Sequence, residues 1–228
     1  MLCSIRSGIL KIKGIIFDMD GTLIDSLMLW DILWKKIGLK YFNDETFLPS
    51  QSDMLAVRTC TLEAAMQLIH ENYKIGKSAK EVLLFANSVI EDFYTNEVKL
   101  KDGVLDFLKY AKEKNVKMCI ASATAPDLIN LALEHCNIKE YFIKVFSCAE
   151  FNVGKEKPFI FEKALQYLET PITETWVFED SPLPLKVVKQ IGLSTVGIYD
   201  KYNDADTVKA NCDIYISSAK ELRELIID

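Results

Sequence analysis

Short apolar, β-branched runs recur along this chain and alternate with stretches of helical periodicity. Gly14-Ile15-Ile16-Phe17-Asp18 reads as a buried strand, and so do residues 116–121, 145–147, 175–178 and 194–198, with 214–216 as a further short edge strand. Strands that are apolar at nearly every position suit a parallel sheet covered on both faces. Between them lie amphipathic segments. Asp102 and Gly103 open one helix, with Val104, Leu105, Leu108 and Ala111 on its apolar face. Pro126 suits the first turn of the next, which continues through Leu128, Ile129, Leu131, Ala132 and Leu133. Pro158 begins a third, carrying Phe161, Ala164, Leu165 and Leu168. Strand and helix in alternation predict an α/β fold with a doubly wound parallel sheet.

Residues 26–95 break that rhythm. Segments 27–37, 61–70 and 79–94 read as helices with no convincing strand between them. The expected organisation is therefore an α/β core of residues 1–25 and 96–228, interrupted by a helical subdomain of residues 26–95. No internal repeat and no linker rich in Pro, Gly or Ser is visible.

Composition narrows the function classes. The 228 residues are 50% hydrophobic and 26% charged, which is ordinary for a globular chain. A net charge of −6 argues against non-specific binding to nucleic acid or an anionic membrane. No apolar run is long enough to span a bilayer, and Arg6, Lys11 and Lys13 break the N-terminal stretch before a secretion signal could form. The cysteines at 3, 60, 119, 136, 148 and 212 form no Cys-x-x-Cys pair and stand in no metal-ligand spacing with His70 or His135. A cytoplasmic location, where such thiols stay reduced, is the expectation. No residue argues an oligomeric state, and a monomer is the default.

The chemistry gathers at strand ends, where ligands collect in open α/β sheets. The first strand runs into Asp18-Met19-Asp20-Gly21-Thr22. Two carboxylates this close are costly unless a cation or a shared proton relieves them. The second strand ends in Ser122, a hydroxyl followed by backbone amides able to hold a phosphate oxygen. Lys155 stands just before a helix, in Val153-Gly154-Lys155-Glu156-Lys157-Pro158. Glu179-Asp180-Ser181 follows the apolar run 176–178, a second pair of acids that calls for a cation. Each fragment alone has a plainer reading: Asp, Gly and Ser are common loop residues, and a lysine before a helix is usually a solvated charge.

Taken in order, these pieces resemble the four-motif signature of the haloacid dehalogenase-like hydrolase superfamily. Phe17-Asp18-Met19-Asp20-Gly21-Thr22-Leu23-Ile24-Asp25-Ser26 is similar to the first motif of its β-phosphoglucomutase-like and phosphoglycolate phosphatase-like branch, nearly residue for residue. Ser122 matches the second motif, Lys155 the third, and Glu179-Asp180 the fourth. The resemblance implies a Rossmann-like core with an inserted helical cap, and a Mg²⁺-dependent phosphatase acting on a small phosphorylated metabolite such as a sugar phosphate. It implies Asp18 as nucleophile forming an aspartyl-phosphate and Asp20 as general acid and base. It assigns the metal to the Asp18 and Asp180 carboxylates and the Asp20 carbonyl, with Glu179 orienting that shell. Ser122, the Ala123 amide and Lys155 would hold the phosphoryl oxygens.

The chain departs from the family pattern in places. Glu156 and Phe159 replace the usual Pro and Asp of the third motif, which leaves Lys157 as a rival to Lys155. Pro184 stands where the fourth motif has Gly. An isomerase of the β-phosphoglucomutase type shares every core residue and is the alternative. It needs cap cations for a second phosphate, however, and by position Trp30 and Gln51 occupy the sites where the family's mutases carry His and Arg. Arg58, Lys74 and Lys77 could offer charge from elsewhere. A phospho-accepting receiver domain also clusters Asp, Ser or Thr and Lys, but lacks a helical insertion after its first strand. Gly76-Lys77-Ser78 resembles the tail of a P-loop only by chance, since residue 71 is Glu. Trp30 and Trp34, four apart on a helix, are core residues by default, though the first helix of the cap could also present an aromatic to the substrate.

Overall fold

The structure, a computed structural model, describes residues 11–57, 61–217, 222 and 225; Cys3, Arg6, Arg58 and Cys60 lie outside the described residues. The chain divides into two compact units, Met1–Leu27 with Val98–Asp228, and Met28–Glu97. Strands β1 (Gly14–Phe17) and β2 (Ile24–Asp25) precede the second unit. That unit holds α1 (Leu29–Phe42), α2 (Gln51–Val57), α3 (Leu62–Tyr73) and α4 (Ala79–Asp92), ending in a π-turn at Phe93–Glu97. The first unit resumes with β3 (Lys99–Leu100), α5 (Val104–Glu113), β4 (Lys117–Ser122), α6 (Pro126–His135), β5 (Lys144–Ser147) and α7 (Cys148–Phe151). It continues through α8 (Phe159–Leu168), β6 (Thr175–Glu179), α9 (Pro182–Gln190), β7 (Ser194–Ile198), α10 (Ala205–Asn211) and β8 (Ile214–Ile216).

The main sheet has the order β5-β4-β1-β6-β7-β8, and every pair in it is parallel. Successive side chains point to opposite faces, and both faces are covered by helices, so the strands carry no alternation of polarity. Ile16, Cys119, Ala121 and Val177 pack with Phe161, Ala164 and Leu168 of α8 and with Val187 and Val188 of α9. The opposite phase supplies Phe17 and Phe178, whose rings meet each other and Phe107 of α5. Phe142 closes edge-on against Phe17 at 6.0 Å. The chain winds outward from β1 through β4 to β5, then returns to β6 on the other side of β1. The register pairs Phe17 with both Ile120 and Phe178. Asp18, Ser122 and Glu179 therefore leave the sheet at one end, at the reversal of strand order where crevices open in such folds.

β2 and β3 form a separate two-stranded antiparallel ribbon, Ile24 opposite Leu100 and Asp25 opposite Lys99. Two residues per strand give too little pattern to be read from sequence.

The second unit has its own core, built from Leu33, Trp34, Ile37, Ala65, Met66, Ile69, Val82 and Ala86. Trp30 and Trp34 stack with ring centroids 5.4 Å apart. Thr61 and Ser78 cap α3 and α4 by accepting the Ala64 and Glu81 amides, each at 3.3 Å. Gly76-Lys77-Ser78 is thus a helix start, with the Lys77 amide donating to Glu81 at 2.9 Å. His70 Nδ1 lies 2.6 Å from the Ile75 carbonyl beyond the end of α3. α1 extends past its expected end at residue 37 to Phe42, where Asn43 adopts a left-handed conformation (φ 54°). α2 is an addition to the expected helices. Its start is a local polar turn in which Ser50 Oγ donates to Asp53 and accepts the Asp53 amide.

No helix among the described residues is long and apolar enough to cross a membrane. Cys119, Cys136, Cys148 and Cys212 are free thiols, and Cys119 and Cys148 are buried as small hydrophobes.

Candidate active site

The Asp18 amide, at the end of β1, donates to the Phe178 carbonyl at 2.9 Å and continues the β1–β6 ladder by one rung. The chain then turns sharply, with the Leu23 and Ile24 amides both folding back to the Met19 carbonyl. Gly21 sits at φ 79°, a conformation glycine adopts without strain. A Cβ at this position would also collide with the Asp180 carboxylate. The turn is therefore closed tightly over the acid supplied by β6.

Asp18, Glu179 and Asp180 are buried, and each offers a carboxylate oxygen within 4.8 Å of the others. The Lys155 ammonium donates to Asp18 and, at 2.8 Å, to Glu179. Lys157 is exposed, so Lys155 is the lysine that meets these acids. The Ser181 amide donates to the other oxygen of Glu179 at 3.1 Å. Thr22 Oγ1 and Asn203 Nδ2 donate to the two oxygens of Asp180, at 3.1 and 2.5 Å. Pro184 lies buried in the first turn of α9, where a missing N–H costs nothing.

Burial pushes the Asp18 carboxyl up to about 8, reinforced by the Glu179 charge and opposed by Lys155. Burial, then Glu179 and Asp18, also raises Asp180 well above the usual carboxylate range. Burial works against the Lys155 charge, but Asp18 and Glu179 outweigh it and hold the ammonium above its ordinary value. Three buried carboxylates thus gather around the Lys155 ammonium, which pairs directly with Asp18 and Glu179, and the cluster carries more negative than positive charge when ionised. An all-oxygen donor set with that deficit fits a hard divalent cation.

Asp20 faces elsewhere. One of its oxygens accepts from Ser26 Oγ at 2.6 Å and the other from Thr124 Oγ1 at 2.7 Å. Ser122 is buried at the end of β4, and its hydroxyl accepts the Thr124 amide at 3.1 Å. The next residue, Ala123, is exposed. Ser147 Oγ, at the end of β5, pins this loop by donating to the Thr124 carbonyl at 2.6 Å.

Sequence reasoning placed Asp18, Lys155, Glu179 and Asp180, which the structure brings together, and Asp20 and Ser122, which flank them and are joined through Thr124. It gave no part to Ser26, Thr124 or Asn203. Ser26 stands inside the first motif and Thr124 two residues after Ser122, so proximity in sequence could have flagged both. Asn203 follows β7 in a segment with no motif.

The profile of haloacid dehalogenase-like hydrolases matches residues 12–192. A phosphorylated carbohydrates phosphatase of Thermotoga maritima is 22% identical over 194 residues, covering 84% of this chain and 88% of that protein. A (DL)-glycerol-3-phosphatase of Arabidopsis thaliana is 25% identical over 206 residues, covering 86% of this chain and 83% of its own length. A Thermotoga maritima structure provisionally described as a β-phosphoglucomutase superposes with a TM-score of 0.80 at 20% identity, covering 92% of this chain and 96% of that one. The sheet order, the acids at the ends of β1 and β6, and a match across most of the chain converge: this protein belongs to the haloacid dehalogenase-like hydrolase family.

Proposed function

We propose that the protein is a Mg²⁺-dependent phosphatase of a small phosphorylated metabolite, with Asp18 as nucleophile and Asp20 as general acid and base. The observation that carries this reading is the buried Asp18 carboxylate, held by Lys155 beside Glu179 and Asp180. The phosphatase names of the two curated relatives support it.

Asp18, Asp180 and the Asp20 carbonyl would hold the cation, with Glu179 behind them. When bound, Mg²⁺ supplies positive charge opposite the phosphoryl oxygens and lets neighbouring carboxylates ionise together. Lys155 would add its charge to the same oxygens, and Ser122 with the Ala123 amide would complete the cradle. In the first step an Asp18 oxygen attacks phosphorus, the ester P–O bond breaks, and the leaving alkoxide takes the proton of Asp20. In the second, Asp20 removes a proton from water as the water oxygen attacks phosphorus. The acyl-phosphate bond breaks, freeing inorganic phosphate and the Asp18 carboxylate. The Ser26 and Thr124 hydroxyls would hold the Asp20 side chain in place, and their rotation lets each donate or accept as Asp20 gives and takes its proton. A cytoplasmic location accords with four free thiols among the described residues.

The test is phosphate release from sugar phosphates, glycerol phosphate and phosphoglycolate, with Mg²⁺ and with chelator. Asp18→Asn keeps the side-chain shape and loses the nucleophile, so turnover should fall to the uncatalysed baseline while the melting temperature holds or rises. Turnover near wild type in that variant would remove Asp18 from this role.

A further inference from the structure

We propose that Lys101, Asp200 and Asn203 are positioning residues that hold the Asp180 carboxylate in the geometry a small, strictly octahedral cation demands. This rests on the reading of Asp180 as a metal ligand and extends it to three residues outside the four motifs.

Lys101 lies just past β3, its amide tied to the Leu23 carbonyl at 3.0 Å. Its side chain is 15% exposed and its ammonium meets three oxygens. These are the Gly21 carbonyl, the Tyr199 carbonyl at 2.8 Å and the Asp200 carboxylate at 2.8 Å. An ammonium has three protons to donate, so this lysine has no capacity left over for a ligand. It joins the tight turn after β1 to the loop after β7.

Asp200 carries the connection onward. It is buried, its second oxygen accepts the Tyr202 amide at 2.9 Å, and its carbonyl accepts the Asn203 amide at 3.3 Å. These bonds fold residues 200–203 into a closed turn that presents the Asn203 side chain. Asn203 Nδ2 then donates to Asp180 Oδ2 at 2.5 Å, opposite the Thr22 bond to Oδ1. Asp180 is thereby held from both oxygens, and Gly21, clamped by Lys101, lies directly against it.

The chemistry gives this clamp a purpose. Mg²⁺ demands near-ideal octahedral geometry, whereas Ca²⁺ accepts longer and more irregular bonds. Outer partners of a metal-bound carboxylate commonly change metal affinity by about 10–100-fold when removed. A carboxylate fixed from both sides favours the stricter cation, and one left to swing favours the tolerant one.

The experiment measures Mg²⁺ and Ca²⁺ binding separately by titration calorimetry, well below the melting temperature. The variants are Asn203→Ala, Lys101→Arg, and the double variant Lys101→Met with Asp200→Asn. The double variant removes one positive and one negative charge, so a change in affinity reports lost position and not altered net charge. Asn203→Ala and the double variant should each weaken Mg²⁺ binding about tenfold, weaken Ca²⁺ binding less, and so lower the preference for Mg²⁺. Lys101→Arg, which keeps the charge and its donors, should retain most of that preference. If the double variant does not fold, Asn203→Ala alone decides the matter, because it removes one amide and leaves the Lys101–Asp200 pair intact. An unchanged ratio of the two dissociation constants in Asn203→Ala would overturn the proposal, even with activity lost. Failure of the phosphatase reading gives a different result: wild type would bind Mg²⁺ and release no phosphate.

Discussion

The role proposed for Asp20 rests on what surrounds the group and not on its type. Four carboxylates lie near the ends of β1 and β6, and Asp20 accepts hydrogen bonds from two hydroxyls, those of Ser26 and Thr124. A hydroxyl can give or accept a proton as needed, whereas the ammonium beside Asp18 can only donate. Asp20 is thus the carboxylate best placed to exchange a proton. With Asp20→Ala, hydrolysis of an alkyl phosphate should fall by roughly 10²–10⁴-fold, the usual contribution of general acid–base catalysis. Formation of the phosphorylated enzyme from p-nitrophenyl phosphate should fall far less, because its leaving group needs no proton. A rapid-quench burst of p-nitrophenol against the alkyl substrate reads the difference, and equal losses would exclude the acid role. At this scale the sequence was most legible where residues are adjacent, as in Asp18 to Ser26. The lysine assignment stayed open between Lys155 and Lys157 until the fold buried one and exposed the other. Asn203 and Lys101 escaped notice because their partners lie 23 and 99 residues away along the chain, and nothing in their local patterns marks them.

Among the elements, the strands of the main sheet were legible because parallel strands covered on both faces must be apolar throughout. Residues 14–17 and 194–198 have no alternative that buries them as well. The helices announced themselves by apolar spacing and by Pro126 and Pro158 at their starts. α2 and the β2–β3 ribbon were hidden for a physical reason: seven residues, and two per strand, are fewer than periodicity needs. α4 offers a clean test of how a local signal shapes an element. Its first turn is closed by Ser78, whose hydroxyl accepts the Glu81 amide. Ser78→Ala should cost about 1 kcal/mol, the usual value of such a cap, and Ser78→Asp should recover most of it. Urea unfolding followed by fluorescence reports this, since Trp30 and Trp34 belong to the same unit as α4. A midpoint unmoved by Ser78→Ala would mean that packing of Val82 and Ala86, and not the cap, sets the start of the helix.

For the whole molecule, the main electrostatic strain is local to the ends of β1 and β6 and is not a property of the net charge of −6. Asp18 has its carboxyl raised from 3.8 to about 8 on folding, by burial first and Glu179 second. Between those values the native state keeps a proton that the unfolded chain has released. The native state therefore binds more protons, and stability falls as pH rises across that window. Below it both states are protonated, and above it both are ionised, so the slope belongs to the interval alone. Asp180, raised in the same direction, adds to it. The proposed divalent cation would act on the same groups with the opposite sign. Bound to the ionised native site and not to the unfolded chain, it would add about 2.7 kcal/mol at a hundredfold excess over its dissociation constant. Its affinity increases with pH as the carboxylates lose their protons. The expected result is a melting temperature that declines from pH 5 to pH 8 in chelator and declines much less, or not at all, in saturating Mg²⁺. Asp18→Asn removes both the raised carboxyl and one proposed cation ligand, so it should flatten the slope in chelator and shrink the Mg²⁺ response together. Scanning calorimetry of the two proteins across pH, with and without Mg²⁺, separates these outcomes. Parallel pH profiles with and without the cation would show that the three buried carboxylates are relieved by something other than metal.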